Sequence, residues 1–351
     1  MHIRTSRAAV GAAAMVVLFT SNPGHALANH VSCGDTITQS TTLDSDLACS
    51  GSAPGIRLGA HAVTLDLNAH LLTHRDAGPG IENPGFDDVT IQNGAVRTEV
   101  SDGIVLDDAD RNTLRGLEVV RVAGGNLPPT PVVLTRSDDA LIEGNGFFGW
   151  TGALGLTESN RGVIRGNRTG YFLCALVGDC SSFATGGGVG LTASDDSVVE
   201  DNSFSQGISG WGTGSDRNVF RRNSITYSIA TGLFLSGGED NVAVKNTVHH
   251  NAFNGIGAPG GTRTRIEKND VSDNGGSGIA VSGAGTLVSH NVAERNRLDG
   301  IHAFPGVVVE RNRANDNGDL GIEGEAGVVD GGGNKASGNG NPAQCVNVTC
   351  K

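Results

Sequence analysis

The sequence predicts an all-β, single-domain right-handed parallel β-helix of about a dozen coils. Three observations predict it. An Asn recurs at positions 145, 167, 202, 223, 246, 269, 291, 312 and 334, in steps of 21 to 23 residues apart from one gap. Mostly apolar residues flank these Asn at fixed offsets, three before and two after, as in Ile266-Asn269-Val271 and Val309-Asn312-Ala314. A Gly followed by an apolar residue then opens the next unit, as in Gly255-Ile256, Gly278-Ile279 and Gly300-Ile301. A fixed period of this length means stacked supersecondary units.

Each unit holds three short apolar stretches separated by turn residues, hence three strands per coil. Leucine-rich repeats share the length and also use an Asn, but they need regularly spaced leucines and often a helical return. These units mix Val, Ile and Gly and contain no run of helix formers. Coils of a β-helix lie about 4.8 Å apart, so equivalent residues stack. An inward Asn can then bond its amide to backbone and to the Asn above and below. A second Asn, five residues after the first, recurs at 251, 274, 296, 317 and 339. Two of the three corners are therefore expected to carry Asn ladders. The earlier stretches, such as GIRLGAHAVTLDLNAHLLTH, are less regular and supply three further coils.

Residues 1–28 are set apart from the β-helix domain at 29–351. Arg4 and Arg7 precede an apolar run and Ala26-Leu27-Ala28, the pattern of a secretory signal with an A-x-A cleavage site. The run is too short to span a bilayer, and no later segment has the roughly 20 apolar residues a membrane helix needs. A secreted, monomeric protein is expected. The formal charge of −12 becomes −14 once Arg4 and Arg7 leave, which argues against nucleic acid as a partner.

All six cysteines follow the expected cleavage site and fall in close pairs: Cys33 with Cys49, Cys174 with Cys180 and Cys345 with Cys350. An even count in an exported chain argues for disulfides. The outer two pairs sit where a solenoid needs caps, about 29–54 and about 335–351.

The Gly-Ile openings and the Asn-x-Val/Ala-x-x-Asn coils make the chain resemble right-handed parallel β-helix proteins of the pectate-lyase-like superfamily, in its secreted actinobacterial form. The resemblance covers nearly all of residues 29–351. It implies polysaccharide lyases, epimerases, glycoside hydrolases, adhesins or a copper-maturation protein as relatives. No Asp-Pro-His triplet like that of alginate epimerases is present, so the resemblance does not transfer a catalytic motif.

Reading stacked positions as columns gives the candidate sites. In the first strand the outward column is expected to run Val105, Val133, Gly155, Gly190, Trp211, Phe234, Gly257, Ala280, His302 and Glu323. Trp211 and Phe234 would be neighbours on a flat face. The insertions at 124–131 and 171–187, with Trp150 between them, would wall a groove in which aromatics stack on sugar rings. Alternatively the Cys174–Cys180 loop folds over those aromatics as a satellite core.

The corner four residues after each ladder Asn carries Tyr227, His250, Asp273, Arg295 and Asp316. Abstracting the proton beside a uronate carboxylate needs a base and charge neutralisation. Tyr227 or His250 would serve as base or acid, with Asp273 orienting the imidazole and Arg295 neutralising the carboxylate. The plainer reading is a solvated turn.

Immediately before the ladder Asn, Arg222, Lys245, Lys268, His290 and Arg311 form a basic column on an acidic protein. Such a stripe suits an anionic polymer, unless neighbouring acids such as Glu267 and Glu310 neutralise it. The preceding residues Glu143, Arg165, Glu200 and Arg221 alternate in sign, a structural pattern. The first-turn acids Asp107, Asp108, Asp110, Asp138, Asp139, Glu158, Asp195, Asp196, Asp216, Glu239 and Asp240 offer oxygens that suit Ca²⁺, or cap their own turns. The functional expectation is a secreted carbohydrate-active protein that binds, and in its enzymatic form cleaves or epimerises, an extended acidic polysaccharide. The alternative is a non-catalytic structural or adhesion protein.

Overall fold

A computed structural model describes residues 30–121, 130–148, 152–170, 188–205, 208–210 and 215–351. The expected signal segment, Trp150, Trp211, the Cys174–Cys180 pair and most of both insertions lie outside these residues. No helix among the described residues is long and apolar enough to cross a membrane.

The Gly-apolar openings become the first strand of each coil. Fourteen such strands, from Asp35–Ile37 to Cys345–Val346, form one sheet in which each strand pairs with its equivalent one coil away. The pairing is parallel throughout, as in Ile256 with Ile279 and Ile279 with Ile301. The second and third strands of the coils make the other two faces. These faces are joined by two nine-residue strands, Thr90–Thr98 and Thr113–Arg121, which bend at the left-handed residues Asn93 and Gly116. The segment expected to cap the N-terminal end itself supplies strands: Asp35–Ile37, Thr41–Thr42 and Leu47–Cys49 pair with the next coil. Disulfides Cys33–Cys49 and Cys345–Cys350 close the two ends, which fits folding in an oxidising compartment.

Inward positions alternate along each strand and build one continuous core, with Phe147, Phe204 and Phe220 its largest buried side chains. Both expected Asn ladders are present. Asn296 donates its backbone N–H and Nδ2 to Asn317 Oδ1 at 3.0 and 3.1 Å, and Nδ2 also to Val271 O at 3.0 Å. Its own Oδ1 accepts the backbone N–H and Nδ2 of Asn274 at 3.1 and 3.0 Å. The pattern repeats from Asn145 to Asn334 at the second corner and from Asn251 to Asn339 at the third, where Gln344 Oε1 closes the row at 2.8 Å. Each buried amide is thereby satisfied, which removes the desolvation penalty that would otherwise exclude Asn from a core.

The ladder also explains the Gly of the Gly-apolar pair. A Cβ on Gly278 would stand 2.6 Å from Asn296 Nδ2 and 2.6 Å from Gly300 O. No other residue fits there without moving the ladder.

A third ladder, which the sequence reading missed, occupies the first corner. Backbone N–H groups of Ala109, Ser137, Ser159 and Ser194 donate to the Oγ of Ser137, Ser159, Ser194 and Ser215 in turn, at 3.0 to 3.2 Å.

Candidate functional site

The corners put one or two residues per coil in the left-handed region, most of them not glycine, and equivalent positions stack from coil to coil. At the second corner the left-handed residues are Asn93, Gly116, Gly144, Gly166, Asp201, Arg222, Lys245, Lys268, His290, Arg311 and Gly333. At the third they include Tyr227, His250, Asp273, Arg295 and Asp316. The expected columns are thus brought together as columns.

The third-corner residues mostly satisfy one another. The Tyr227 and His250 rings stack at 5.4 Å with 27° between planes. His250 Nδ1 lies 2.8 Å from Nδ1 of His249, so one of these nitrogens donates and the other accepts. Arg295 grips Asp273 through Nε and Nη2 at 2.9 and 2.8 Å. The Arg295 guanidinium holds the Asp273 carboxyl below its usual range. Arg295 therefore has to release Asp273 before it can meet a substrate carboxylate.

The first-strand face differs from expectation at one coil. Ser209 pairs with Gly190 on one side and Phe234 on the other, so the column position given to Trp211 belongs to Ser209. Trp211 is two positions further along the sequence and outside the described residues, in a coil of irregular length. Phe234 lies toward the next coil, its Cδ2 3.2 Å from where a Cβ on Gly257 would be. His302 is in this column, stacked on Phe304 at 4.6 Å. Its Nε2 lies 3.5 Å from Glu323 and 3.4 Å from Glu325. Asp299, almost fully buried, completes a group with His302 and Glu323 whose ligand atoms all lie within 4.8 Å of one another. Burial pushes the Glu323 carboxyl up, His302 draws it down, and the adjoining Asp299 adds to the rise. This is the group among the described residues with the donor set to hold a divalent cation. Sequence reading placed His302 and Glu323 in one column but missed Asp299, because the residue before the opening Gly is Asn, Ser or Leu in neighbouring coils.

The first-corner acids are mostly engaged with arginines. Left-handed positions there read Asp88, Arg111, Asp139, Arg161, Asp196, Arg217, Asp240 and Arg263, alternating in sign. Each Arg holds the Asp of the preceding coil through Nε at 2.7 to 2.8 Å and reaches the residue before it through Nη2. Arg136 does the same to Asp107 and Asp108. Asp110 and Asp216 accept the backbone N–H of Asp138 and Glu239. The arginines hold the carboxyls of Asp88, Asp139, Asp196 and Asp240 below the ordinary range. The alternation was legible in the sequence, as Asp-Arg-Asn (110–112) against Asp-Asp-Ala (138–140).

The basic column is otherwise placed. Arg222 is held by Glu200 and Asp201, and Arg311 lies 3.3 Å from Glu310. Glu267 is taken by Arg265. Lys245, Lys268 and His290 are exposed in three successive coils and enter no ion pair among the described residues. The Glu143–Arg165 and Glu200–Arg221 pairs form as the alternation predicted.

Near the first insertion lies a set of buried charges that sequence reading did not single out. Burial pushes the carboxyls of Asp102 and Glu118 up and the Arg121 guanidinium down. Glu118 accepts a hydrogen bond from Arg168, two coils away, at 2.6 Å.

Residues 206–350 match the family described as a right-handed β-helix region, and residues 62–256 match the family described as periplasmic copper-binding protein (NosD). Among solved structures, a tailspike double mutant of E. coli bacteriophage HK620 in complex with a pentasaccharide is 12% identical, with a TM-score of 0.51 over 87% of this chain and 60% of that one. A double mutant of the periplasmic alginate epimerase AlgG is 12% identical, with a TM-score of 0.50 over 85% of this chain and 78% of that one. At these identities the likeness is one of fold. The chain spans about three fifths of the tailspikes' length. No curated protein matches it in sequence. Copper favours sulfur and imidazole donors. Both methionines, Met1 and Met15, precede residue 30, and Cys33, Cys49, Cys345 and Cys350 are disulfide-bonded. Among the described residues of 62–256, no three His, Cys, Asp or Glu side chains converge on a point, so those residues offer no copper site of three or more such ligands. With the second match spanning more than half of the sequence, the chain belongs to the NosD family of right-handed β-helix proteins.

Proposed function

We propose that this chain is an exported carbohydrate-active protein that binds an extended acidic polysaccharide along its second corner. The observation that carries the reading is the run Lys245, Lys268 and His290: three exposed basic residues, one per coil, without acidic partners among the described residues. Folding does not call for them. Elsewhere the same left-handed position is filled by Gly116, Gly144, Gly166 and Gly333, which avoid a cost of about 1 kcal/mol for an ordinary side chain there. At about 4.8 Å the like charges of Lys245 and Lys268 add a repulsion of about 1 kcal/mol in water. A polyanion lying along the screw axis would reverse that repulsion, since successive carboxylates would meet successive coils. Carbohydrate-handling neighbours, namely a tailspike with a bound pentasaccharide and an alginate epimerase, share the fold.

The catalytic form of the proposal is lyase or epimerase chemistry at Tyr227, His250 and Arg295, with Phe234 and His302 against the sugar. The second reading, a non-catalytic adhesion or structural protein, is favoured by one observation: the Arg295–Asp273 grip leaves the third corner already neutralised. Incubation with a panel of polyuronates and neutral glycans, with and without Ca²⁺, separates them. Binding restricted to polyuronates with growing ultraviolet absorbance of unsaturated product supports a lyase. Binding without product or epimerised residues supports adhesion. Equal binding to neutral glycans, or none to any, contradicts the proposal.

A further inference from the structure

Along the first corner the acids are held by arginines one coil away, as Asp196 is by Arg217 and Asp240 by Arg263. Asp299, Glu323 and Glu325 are not. They gather near the C-terminal end of the first-strand face, where His302 and Glu323 stand directly opposite each other in the parallel pairing. Among the described residues the one cationic side chain paired with any of the three is His302. Like charges set a coil apart repel, and nothing in the fold itself requires this grouping. Asp299 shows why. Its Oδ1 accepts the backbone N–H of Leu320 at 3.0 Å, and two coils earlier the neutral Asn254 does the same for Ser277 at 2.9 Å. An amide meets the structural need, so the negative charge of Asp299 is additional, in a side chain only 5% exposed. A carboxylate buried to that degree calls for an opposite charge.

The spacing of the group indicates which charge. His302 Nε2 lies 3.5 Å from Glu323 Oε2 and 3.4 Å from Glu325 Oε1, beyond the usual hydrogen-bond range of about 2.7–3.2 Å. Two donors on one tetrahedral ion, each bonded at about 2.1 Å, stand about 3.4 Å apart. One ligand atom each of Asp299, His302 and Glu323 lies within 4.8 Å of the other two, a span that the Glu323 side chain can shorten by rotating. Solvent reaches the group: the His302 and Glu323 side chains are 24 and 35% exposed, and the two preceding coils present only Gly257 and Ala280 in this column. Stacking on Phe304 fixes the imidazole plane, and the Leu320 N–H fixes the Asp299 carboxylate. Partners of this kind orient ligands.

We propose that Asp299, His302 and Glu323 form a binding site for one first-row divalent ion of the Zn²⁺ type, with Glu325 or water in the fourth position. An imidazole nitrogen with a few carboxylate oxygens suits Zn²⁺, which binds four ligands of these kinds. Ca²⁺ takes six to eight oxygens and gains little from imidazole. Ligands from two coils converge on the ion, so it also clamps the coil opening at Gly300 to the one opening at Gly321. The site needs neither Lys245 nor a polysaccharide, so it stands or falls independently of binding at the second corner.

Isothermal titration calorimetry of the chelator-treated intact protein with zinc chloride, in the presence of excess Ca²⁺, tests it. One equivalent is expected to bind, and to raise the melting temperature with the logarithm of free zinc. Asp299→Asn is the decisive variant, because it keeps an acceptor for the Leu320 N–H, as Asn254 does for Ser277. It should fold with a zinc-free melting temperature no lower than that of the wild type. It should also bind zinc at least about tenfold more weakly, since losing a ligand costs no less than losing an orienting partner. His302→Gln and Glu323→Gln should weaken binding likewise, and the intense visible absorption of four-coordinate Co²⁺ should appear in the wild type and be lost in Asp299→Asn. Absence of zinc binding overturns the proposal. So does displacement of zinc by an equal concentration of Ca²⁺, or binding unchanged in Asp299→Asn, which would put the ion on other surface acids or on His249 and His250.

Discussion

The coils from Asn246 to Asn339 and those from His74 to Arg121 solve the same problem in different ways. Both must turn a third corner while keeping the core closed. In the later coils an Asn at each inward corner position bonds above, below and to backbone, and the row ends on Gln344. In the earlier coils His74, Thr98 and Arg121 occupy the corner, the last two on nine-residue strands, with polar atoms unmet among the described residues. One region is a self-satisfied lattice. The other holds buried polar groups that no described partner meets.

The comparison breaks most visibly at the ladder. Asn296→Ala should cost about 2–4 kcal/mol, because it leaves Val271 O, both donors of Asn274 and part of Asn317 Oδ1 unpaired at once. Thr98→Val should change stability by less than about 0.5 kcal/mol, since no bond is lost. Denaturant unfolding of the two variants side by side checks the contrast; equal costs would erase it.

Gly278→Ala comes next, at about 1–3 kcal/mol, from the forced approach to Asn296 Nδ2 and Gly300 O. Hydrogen exchange should localise that loss to the coils around residue 278.

The pH response is smaller and spread over the whole rod. Asp88, Asp139, Asp196, Asp240 and Asp273 have carboxyl pKa values lowered by their arginines. On acidification the unfolded chain takes up protons first. The stability these pairs supply is present at neutral pH and is lost as pH falls through the lowered values. A melting temperature that falls between pH 5 and pH 3, and falls less in Arg217→Gln, is the expected outcome. The least effect is expected from Arg263→Gln at neutral pH, because its exposed bonds to Asp240 and Glu239 are screened by solvent.

The fold was legible because a stacked repeat writes its geometry into the sequence: one Asn per coil and one Gly-apolar pair per coil fix the register of everything between them. The columns of Lys245 and Tyr227 followed from the same count, and the outer disulfides from the close pairing of cysteines at the two ends. Trp211 was misplaced where the count fails, in a coil whose length departs from its neighbours, so that Ser209 takes its position. The Asp/Arg alternation was read as acids alone, because the arginines fall on alternate coils. Arg121 carried no signal. An arginine two residues beyond an inward Val reads as an ordinary strand end, and its burial without partners appears only when three coils are stacked.

The most direct measurement is the salt dependence of affinity for a polyuronate, for the wild type and for a Lys245→Gln/Lys268→Gln variant. If the second corner holds the polymer, affinity falls steeply with salt. The variant should then bind at least about tenfold more weakly at low salt, with a shallower slope and a melting temperature no lower than that of the wild type. Equal affinities and equal slopes would contradict the account, leaving the unpaired column an accident of a solvated turn.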